Sequence, residues 1–317
     1  MDKKEYVIDL INRMNDTTRV FDPEFNGYVP VISKQAYNEA EQLADKECIE
    51  PLKNLIAVHS SNKAFDKDVR RKVYNILNKI ATNTNEMDVF TFFEERLDYE
   101  TDKYIVGDGL LEDIVRSEYV PALKRILPLV EHKDWQVRHE AIRLLGRYQK
   151  EEVEDTLLSL LKADSNPYDI EYTLGALGRI GSTKVLERID PLLYHKKGEV
   201  RASAIAILKV VGGKTYMKVY EEGLNDRSPA VKLNALSAIL KHGDEKQIPL
   251  LISRLKTILK RERKYEPGNL ESSDVVKILK FLLHYKNEQV VELLEWIREK
   301  KWSMLFELEQ EWLLKET

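Results

Sequence analysis

An internal repeat of 31 to 32 residues constrains this chain more than any other feature of its sequence. Three segments share a valine, a following cation and then a run rich in alanine and leucine; their valines are Val137, Val200 and Val231. These valines lie 63 and 31 residues apart, and the segment 173–181 supplies the repeat that falls between the first two. A period of this length is typical of an array of stacked repeats in which each unit contacts its neighbours.

Each repeat has the pattern of two amphipathic helices. Within 121–131 the apolar residues follow the i, i+3, i+4, i+7 spacing of a single helix face. Val137, Ala141 and Leu144 form a second apolar face after a short polar turn. One unit alone cannot bury both faces, whereas units stacked side by side can, and we therefore expect a stacked array.

The composition favours helix and excludes several classes of protein. The chain has 317 residues, of which 43% are hydrophobic and 33% are charged, so it can bury a core. Its 13 glycines are too few for a fold built of many hairpins. Cys48 is the only cysteine, which excludes an internal disulfide and a cysteine-based metal site and favours a reducing compartment.

The sequence also argues against export and membrane insertion. The first residues, Met-Asp-Lys-Lys-Glu-Tyr, lack the apolar core of a secretory signal. The most apolar stretch, 202–213, is interrupted by Lys209 and is shorter than the roughly 18 residues needed to cross a bilayer. We therefore expect a cytoplasmic protein without membrane contact. The net charge of −4 disfavours broad adhesion to nucleic acid, which makes nucleic acid the less favoured partner.

The repeats resemble HEAT repeats, of the short type also found in phycobilin lyases. The resemblance rests on Pro-Leu-Leu at 191–193 and on the Val-Arg pairs at 137–138 and 200–201, and it covers about 121–243. It implies an all-α fold, a right-handed α-solenoid of stacked two-helix repeats (an α-α superhelix), used mostly for protein binding. The family's aspartate six residues before the arginine is kept only at Asp226, before a lysine, and histidine replaces it in two other repeats.

We expect one array across 1–317 whose two ends diverge from the repeat pattern. The expected parts are an N-terminal cap with an irregular segment at 1–48, divergent repeats at 49–120, clear repeats at 121–243, and a divergent repeat with a C-terminal cap at 244–317. The irregular segment is 17–33, which contains Pro23 and Pro30 and has helical patterns on both sides. Three C-terminal tryptophans are expected to seal the last open core face.

Side chains next to each Val-Arg pair are expected to point away from the core and to line a concave groove formed by the second helices. Along the repeats these side chains change from basic to mixed to nearly apolar. Such a groove suits an extended or helical protein partner that is acidic at one end and apolar at the other. The candidate binding residues are Arg71, Lys72, Lys79, His139, Arg143, Arg147, Tyr172, Arg179 and Asn234.

These features favour a non-enzymatic protein-binding scaffold or adaptor that uses no cofactor or metal. The sequence contains no glycine-rich phosphate loop, nucleophile elbow or His-Glu-x-x-His motif, so we assign no catalytic residue. Reversing the charges of Arg143 and Arg147 is expected to abolish partner capture without unfolding the array. The basic run 254–264 is interpreted as the solvated end of a helix.

Two enzymatic alternatives come from weaker resemblances. His139-Glu140 resembles the iron-binding pairs of deoxyhypusine hydroxylase, a HEAT-like enzyme, but that chemistry needs several such pairs and the repeats supply one. Trp135, expected in the turn before the second helix, gives a loose resemblance to HEAT-like DNA glycosylases that act on alkylated bases. Such an enzyme needs a basic groove for phosphates, with Tyr172 and Glu171 as its aromatic and acidic contacts. The glycosylase is the alternative that stays open.

Overall fold

The computed structural model describes residues 2–162, 164–285 and 287–317, and helices account for most of them. The chain forms two compact units, Met1–Leu160 and Leu161–Thr317, called unit 1 and unit 2 below. Within each unit the predicted all-α fold of stacked helix pairs is confirmed.

Unit 1 starts with two helices that flank a short hairpin and continues with stacked helix pairs. Its helices are α1 (Lys3–Met14), α2 (Val31–Glu41), α3 (Ile49–Val58), α4 (Ala64–Thr84), α5 (Asp88–Arg96), α6 (Glu112–Arg116), α7 (Leu123–Ile126), α8 (Trp135–Leu145) and α9 (Glu151–Leu160). A 3-10 turn at Lys46–Cys48 precedes α3, and another at Leu127–Glu131 continues α7. A π-helix at Ile105–Leu111 leads directly into α6.

The second helices of unit 1 pack against one another in chain order. Both α4 and α8 pack against the π-helix that lies between them in sequence. Val137, Ala141 and Leu144, the apolar face expected for α8, are fully buried. The 3.6-residue period therefore located this core face correctly, because only one side of a stacked helix can reach the interior.

Unit 2 has the same alternation of first and second helices. Its helices are α10 (Pro167–Ile180), α11 (Asp190–Leu193), α12 (Gly198–Ile207), α13 (Met217–Gly223), α14 (Pro229–His242), α15 (Ile248–Ile258), α16 (Asp274–Leu283), α17 (Glu288–Lys300) and α18 (Glu307–Glu316). Short 3-10 turns lie at Lys184–Arg188, Gly213–Tyr216, Glu245–Gln247, Leu270–Ser272 and Trp302–Met304, and a π-helix at Leu208–Gly212 follows α12.

Small residues let the helices of unit 2 approach closely. The second helices α10, α12, α14 and α16 pack in series, and α13 packs against α14. A Cβ atom on Gly223 would lie 2.9 Å from the Cβ of Ala235 and 3.0 Å from a methyl group of Ile205. Because real Cβ atoms do not approach so closely, the contact of α13 with its neighbours requires glycine at 223.

The segment 17–33 is not irregular as expected, because it contains an antiparallel hairpin of β1 (Val20–Asp22) and β2 (Gly27–Val29). These are the strands found among the described residues. Asp22 accepts the Glu24 N–H at 2.9 Å, and Asn26 takes a left-handed conformation with φ of 46°. Asn26 followed by glycine is a turn signal that predicts such a hairpin, even between two prolines.

The divergent repeat before α7 also differs from expectation. The sequence pattern predicts its second helix at 110–118, after a connection at 104–109, but helical structure starts at Ile105 as a π-helix. A Cβ atom on Gly107 would lie 3.1 Å from the Cβ of Gln136 at the start of α8. Gly107 is therefore a close-packing residue between two second helices and not a helix breaker.

The C-terminal end of the basic run is fixed against α18. Arg263 Nη1 donates to Glu309 Oε1 at 2.7 Å, and its guanidinium carbon lies 4.4 Å from the centre of the Phe306 ring. The expectation of a wholly solvated run is therefore wrong at this residue. Of the three tryptophans expected to seal the end of the chain, Trp312 is buried, whereas Trp296 and Trp302 are half-buried.

Candidate functional site

The arginine of each Val-Arg pair holds the turn between the two helices of its repeat. Arg138 Nη1 donates to the carbonyl groups of His132 and Lys133 at 2.8 and 3.0 Å. Arg201 Nη1 donates to the carbonyl groups of His195 and Lys196 at 2.7 and 3.3 Å. Because both turns depend on this donor, we assign these two arginines a structural role.

Histidine and aspartate occupy the same position in different turns and make the same backbone hydrogen bond. The Asp226 carboxylate accepts the N–H of the residue two positions ahead at 2.7 Å. The Nδ1 atoms of His132 and His195 each accept the corresponding N–H at 3.1 Å. The imidazole thus replaces the carboxylate as the acceptor that forms the turn. Asp226 additionally forms an ion pair with Arg201.

Most candidate cations of unit 1 have carboxylate partners within unit 1. The pairs are Lys72 Nζ with Asp68, Lys79 Nζ with Glu41 Oε2 at 2.8 Å, and Arg143 Nη1 with Glu140 Oε2 at 2.8 Å. Arg71 is exposed, and its guanidinium carbon lies 5.1 Å from the centre of the Tyr104 ring. These ion pairs reduce the positive field that a basic groove would present to an acidic partner.

Three candidates in unit 1 are not the solvated groove residues that the repeat pattern predicts. Lys72 and His139 are buried, at 8% and 5% exposure. Arg147 donates to the carbonyl groups of Tyr119 at 3.1 Å, Ile114 at 3.3 Å, and Val115. Arg147 therefore holds the C-terminal end of α6, where carbonyl groups have no partner within the helix.

Sequence reasoning missed the carboxylates that accompany these cations. Asp108, Glu112 and Asp113 belong to the divergent repeat, whose register the sequence pattern did not reveal. Burial raises the pKa of Asp108, and the nearby Glu112 raises it further. Burial raises the pKa of Asp113 to about 7, and Asp113 accepts a hydrogen bond from Asn78 at 2.9 Å. Burial also raises the pKa of Glu140, against the opposing effect of Arg143.

The three candidates in unit 2 lie on the second helices. Tyr172 is half-buried and Arg179 is exposed, both on α10. Asn234 of α14 donates from Nδ2 to the Ala202 carbonyl of α12 at 2.9 Å. Asn234 therefore links two adjacent second helices, while Tyr172 and Arg179 remain on the accessible surface.

Unit 2 carries a depression of about 420 Å³ between α10 and α12, which we call the α10–α12 groove. Its lining residues are Glu171, Leu174, Gly175, Gly178 and Arg179 on α10, and Ser203, Ala206, Ile207 and Val210 on α12 and the π-helix after it. Leu174 and Ile207 are almost fully buried. The accessible floor of the groove is therefore formed mostly by residues with short side chains. Val210 on the rim is 50% exposed.

The two ends of the α10–α12 groove carry opposite charges. Glu171 lies at one end, and Arg179 lies at the other, two helical turns further along α10. Burial raises the pKa of Glu171, and the neighbouring Glu199 of α12 raises it further. The acidic end therefore contains two carboxylates that repel each other, while the opposite end carries a guanidinium.

The residues behind the enzymatic alternatives are also placed by the structure. Among the described residues, no group of three or more histidine, cysteine or acidic side chains is arranged to hold a metal ion. Trp135 is the first residue of α8 and does not belong to the turn as expected; it is 55% exposed, and its ring lies 5.4 Å from that of His139. In the part of the chain that the structure describes, no helix is long and apolar enough to span a membrane.

Comparison with known proteins identifies the repeat. The family of HEAT repeats matches residues 121–209. No curated protein matches the chain. Two solved structures are similar. The complex of CpcE and CpcF of phycocyanin lyase from Nostoc sp. PCC7120 has 18% identity and a TM-score of 0.45, and the match covers 80% of this chain and 94% of that chain. An engineered protein has 15% identity and a TM-score of 0.45, and the match covers 100% of this chain and 88% of that chain. Residues 121–209 are thus similar to HEAT repeats.

Proposed function

We propose that this protein is a non-enzymatic binding module that holds a segment of another protein in the α10–α12 groove. The observation that carries the proposal is the groove itself, an accessible depression of about 420 Å³ with an apolar floor between two adjacent second helices. Grooves between helices commonly receive an apolar face of a partner helix. A function of this kind requires only shape and surface chemistry from the repeat scaffold.

The floor of the groove suits a backbone better than a small molecule. A Cβ atom added to Gly175 would meet no atom within 4 Å, and Gly178 has only a methylene group of Ile207 nearby, at 3.8 Å. Floors of glycine, alanine and serine let the backbone of a partner helix approach closely, and dispersion contacts accumulate along its length. Small-molecule sites, in contrast, are usually enclosed and have polar groups converging on the ligand.

Exposed apolar side chains also lie on α10 and on α14, which packs against α12. Tyr168 and Tyr172 are one turn apart on α10, and Tyr168 is 62% exposed. Leu233 of α14 is 51% exposed. Exposed aromatic and aliphatic side chains beside an apolar groove are the residue types that anchor protein interfaces. Among the candidates of unit 1, Lys72, Lys79 and Arg143 form ion pairs and Arg147 donates to backbone carbonyl groups.

Two valines of similar exposure provide a matched test. Val210 lines the groove and is 50% exposed, whereas Val291 lies on α17 and is 55% exposed. We expect Val210→Arg to lose the protein that the tagged parent retains from nuclease-treated lysate of its own source, because the new guanidinium would occupy the groove. The Val291→Arg variant should retain that protein. Retention that is unaffected by Val210→Arg in a folded variant would contradict the proposal, and retention that requires nucleic acid would favour the glycosylase.

A further inference from the structure

We infer that unit 1 binds an acidic, proline-rich segment of another protein across three exposed aromatic side chains, Phe65, Tyr104 and Trp135, which we call the aromatic edge. The bound segment is a polyproline II helix with a proline at every third position. The aromatic edge belongs to unit 1, whereas the α10–α12 groove belongs to unit 2. The inference therefore goes beyond the proposed function and does not depend on it.

An exposed aromatic ring stands at the start of each of three consecutive second helices. Phe65 is the second residue of α4, Tyr104 directly precedes the π-helix that leads into α6, and Trp135 is the first residue of α8. Their exposed fractions are 64%, 41% and 55%. Single exposed apolar residues are common on protein surfaces, but an exposed ring at the same place in consecutive repeats is a feature of binding surfaces.

Two ion pairs connect the starts of these helices. Lys67 Nζ of α4 lies 3.2 Å from Oδ2 of Asp102, which stands just before the π-helix. Lys103 Nζ lies 3.8 Å from Oδ1 of Asp134, directly before α8, and 5.0 Å from the centre of the Tyr104 ring. The three helix starts are therefore adjacent, and their aromatic residues follow one edge of the stacked helices.

The spacing of the aromatic edge fits a polyproline II helix. Helices that pack together lie about 8–10 Å apart, and consecutive rings at equivalent helix starts repeat at about this distance. A polyproline II helix has three residues per turn and rises about 3.1 Å per residue, so every third side chain lies on the same face about 9 Å further along. Prolines at i, i+3 and i+6 can therefore each pack against one ring. Exposed aromatic side chains are the usual partners of proline in such recognition.

Other classes of ligand fit this edge less well. A partner α-helix needs a continuous apolar groove, whereas the pairs Lys67–Asp102 and Lys103–Asp134 lie between the rings. Successive bases of a nucleic acid strand are about 3.4 Å apart and would have to be separated almost threefold to reach consecutive rings. The carboxylates of Asp102 and Asp134 also disfavour phosphate groups. A ligand that makes one apolar contact every 9 Å or so, with polar positions between, matches the edge better.

Charge favours acidic residues between the prolines. Lys63 and Lys133 each lie two residues before a ring of the edge, and the guanidinium carbon of Arg71 lies 5.1 Å from the centre of the Tyr104 ring. Among the described residues, none of these three cations has a carboxylate oxygen within 4.0 Å. They can therefore attract carboxylates of the bound segment. The expected motif is proline at i, i+3 and i+6 with aspartate or glutamate between the prolines.

Two nine-residue peptides of identical composition test the spacing against the full-length protein. The first is Pro-Glu-Ala repeated three times, and the second is Pro-Glu-Pro-Ala-Pro-Glu-Ala-Glu-Ala, whose prolines fall on three different faces of a polyproline II helix. We expect the first peptide to bind about tenfold more tightly in fluorescence anisotropy, because it presents three prolines to the edge instead of one. A period of three is the same in both chain directions, so this preference does not depend on the orientation of the bound peptide. Replacing its glutamates by glutamine should weaken binding about threefold at low salt.

A matched pair of tyrosines makes the test specific to the edge. We expect Tyr104→Ala to weaken binding of the first peptide about tenfold, because Tyr104 is the central ring. Tyr265→Ala removes a tyrosine that is 77% exposed in unit 2 and should leave the affinity unchanged. Circular dichroism identifies a variant that fails to fold. If Tyr104→Ala does not fold, Phe65→Ala and Trp135→Ala are used, and each should weaken binding.

The outcomes separate this inference from the proposed function. Equal affinity for the two peptides, no binding of either, or binding that is unchanged in folded Tyr104→Ala would overturn the inference. Equal affinity for the glutamate and glutamine peptides would overturn the acidic character of the segment. A ten-nucleotide strand of deoxythymidine that binds more tightly than the first peptide and is lost in Tyr104→Ala would assign the edge to nucleic acid and overturn the inference. The Val210→Arg variant should bind the first peptide as the parent does, and loss of the peptide in this folded variant would place it in the α10–α12 groove and overturn the inference.

Discussion

Arg201 and Asp226 are joined by two hydrogen bonds, from Nε to Oδ2 at 2.8 Å and from Nη2 to Oδ1 at 2.7 Å. The pair connects the start of α12 to the turn that precedes α14, so it links consecutive repeats. Arg70 and Glu100 form a similar link in unit 1, with Nε 3.0 Å from Oε1, and Tyr74 donates to the same carboxylate oxygen at 2.8 Å. Both links start from the arginine of a second helix and end on a carboxylate 25 to 30 residues later.

The link between Arg201 and Asp226 predicts a pH-dependent contribution to stability. Hydrogen bonding from Arg201 lowers the pKa of Asp226 in the folded protein. A lowered pKa contributes stability above the pKa of the unfolded chain, and this contribution is lost as the pH falls through the folded pKa. We expect Asp226→Asn to lower the free energy of unfolding by about 2 kcal/mol at pH 7. The difference from the parent should decrease as the pH falls below about 4, where the carboxyl group of the unfolded chain becomes protonated. Urea unfolding from pH 7 down to pH 3 checks this, with Glu222→Gln as an exposed control; a difference that does not decrease below pH 4 would contradict it.

The turn that contains His195 predicts that His195→Asp keeps the stability of the protein and that His195→Ala lowers it. The alanine variant loses the acceptor for the Lys197 N–H, whereas aspartate restores the acceptor that Asp226 provides in its own turn. We expect the alanine variant to lose about 1 kcal/mol of stability, as for loss of a helix cap. The aspartate variant should match or exceed the parent. Thermal and urea unfolding of both variants measure this, and equal losses in the two variants would show that the side-chain acceptor contributes nothing.

The buried carboxyl group of Asp113 predicts a loss of stability as the pH rises from about 4 to 7. Burial raises its pKa to about 7, from 3.8 in the exposed group. The folded protein therefore prefers the protonated form, and stability decreases as the pH rises from about 4 through 7 and then becomes constant. We expect Asp113→Asn to remove this decrease and to stabilise the protein by about 2 kcal/mol at pH 8, because the amide oxygen still accepts from Asn78. Unfolding curves from pH 5 to 8 test the prediction, with the exposed Glu118→Gln as control. A parent and an Asp113→Asn variant with parallel pH profiles would be inconsistent with it.

The contacts of Arg143 and Arg147 predict different costs for the same substitution. Arg147→Gln removes hydrogen bonds to carbonyl groups at the end of α6, and we expect a loss of about 2 kcal/mol. Arg143→Gln removes a partly exposed ion pair with Glu140 and should cost about 0.5 kcal/mol. Urea unfolding distinguishes the two. If the costs are as expected, charge reversal at both positions cannot serve as a binding test, because loss of capture would accompany loss of structure.

The repeat period predicted the helices and their core faces because burial acts at fixed spacing. Val137, Ala141 and Leu144 could be assigned to the interior from the sequence, since only the stacked face of α8 is apolar. The same period gave the register of Tyr172 and Arg179 on α10. These residues belong to repeats whose sequence is close to the shared pattern.

The partners of charged side chains and the register of the divergent repeats could not be predicted in the same way. The partner of Lys79 is Glu41, which is 38 residues earlier, and no period connects them. Asp108 and Glu112 belong to a repeat whose helix begins as a π-helix, which shifts the register and hides their positions. The repeat pattern therefore predicts the cations of unit 1 but not the carboxylates that pair with them, and it overestimates the basic character of this unit.

Gly175 allows the specificity of the protein to change without a change of fold. A Cβ atom added there would meet no atom within 4 Å, and Gly175 lines the α10–α12 groove. A single substitution can therefore alter the depth of the groove at little cost in stability. Replacing a glycine inside a helix is itself favourable where the new side chain fits. Substitutions at this position, natural or engineered, can therefore change which partner binds while the packing of the supporting helices stays the same.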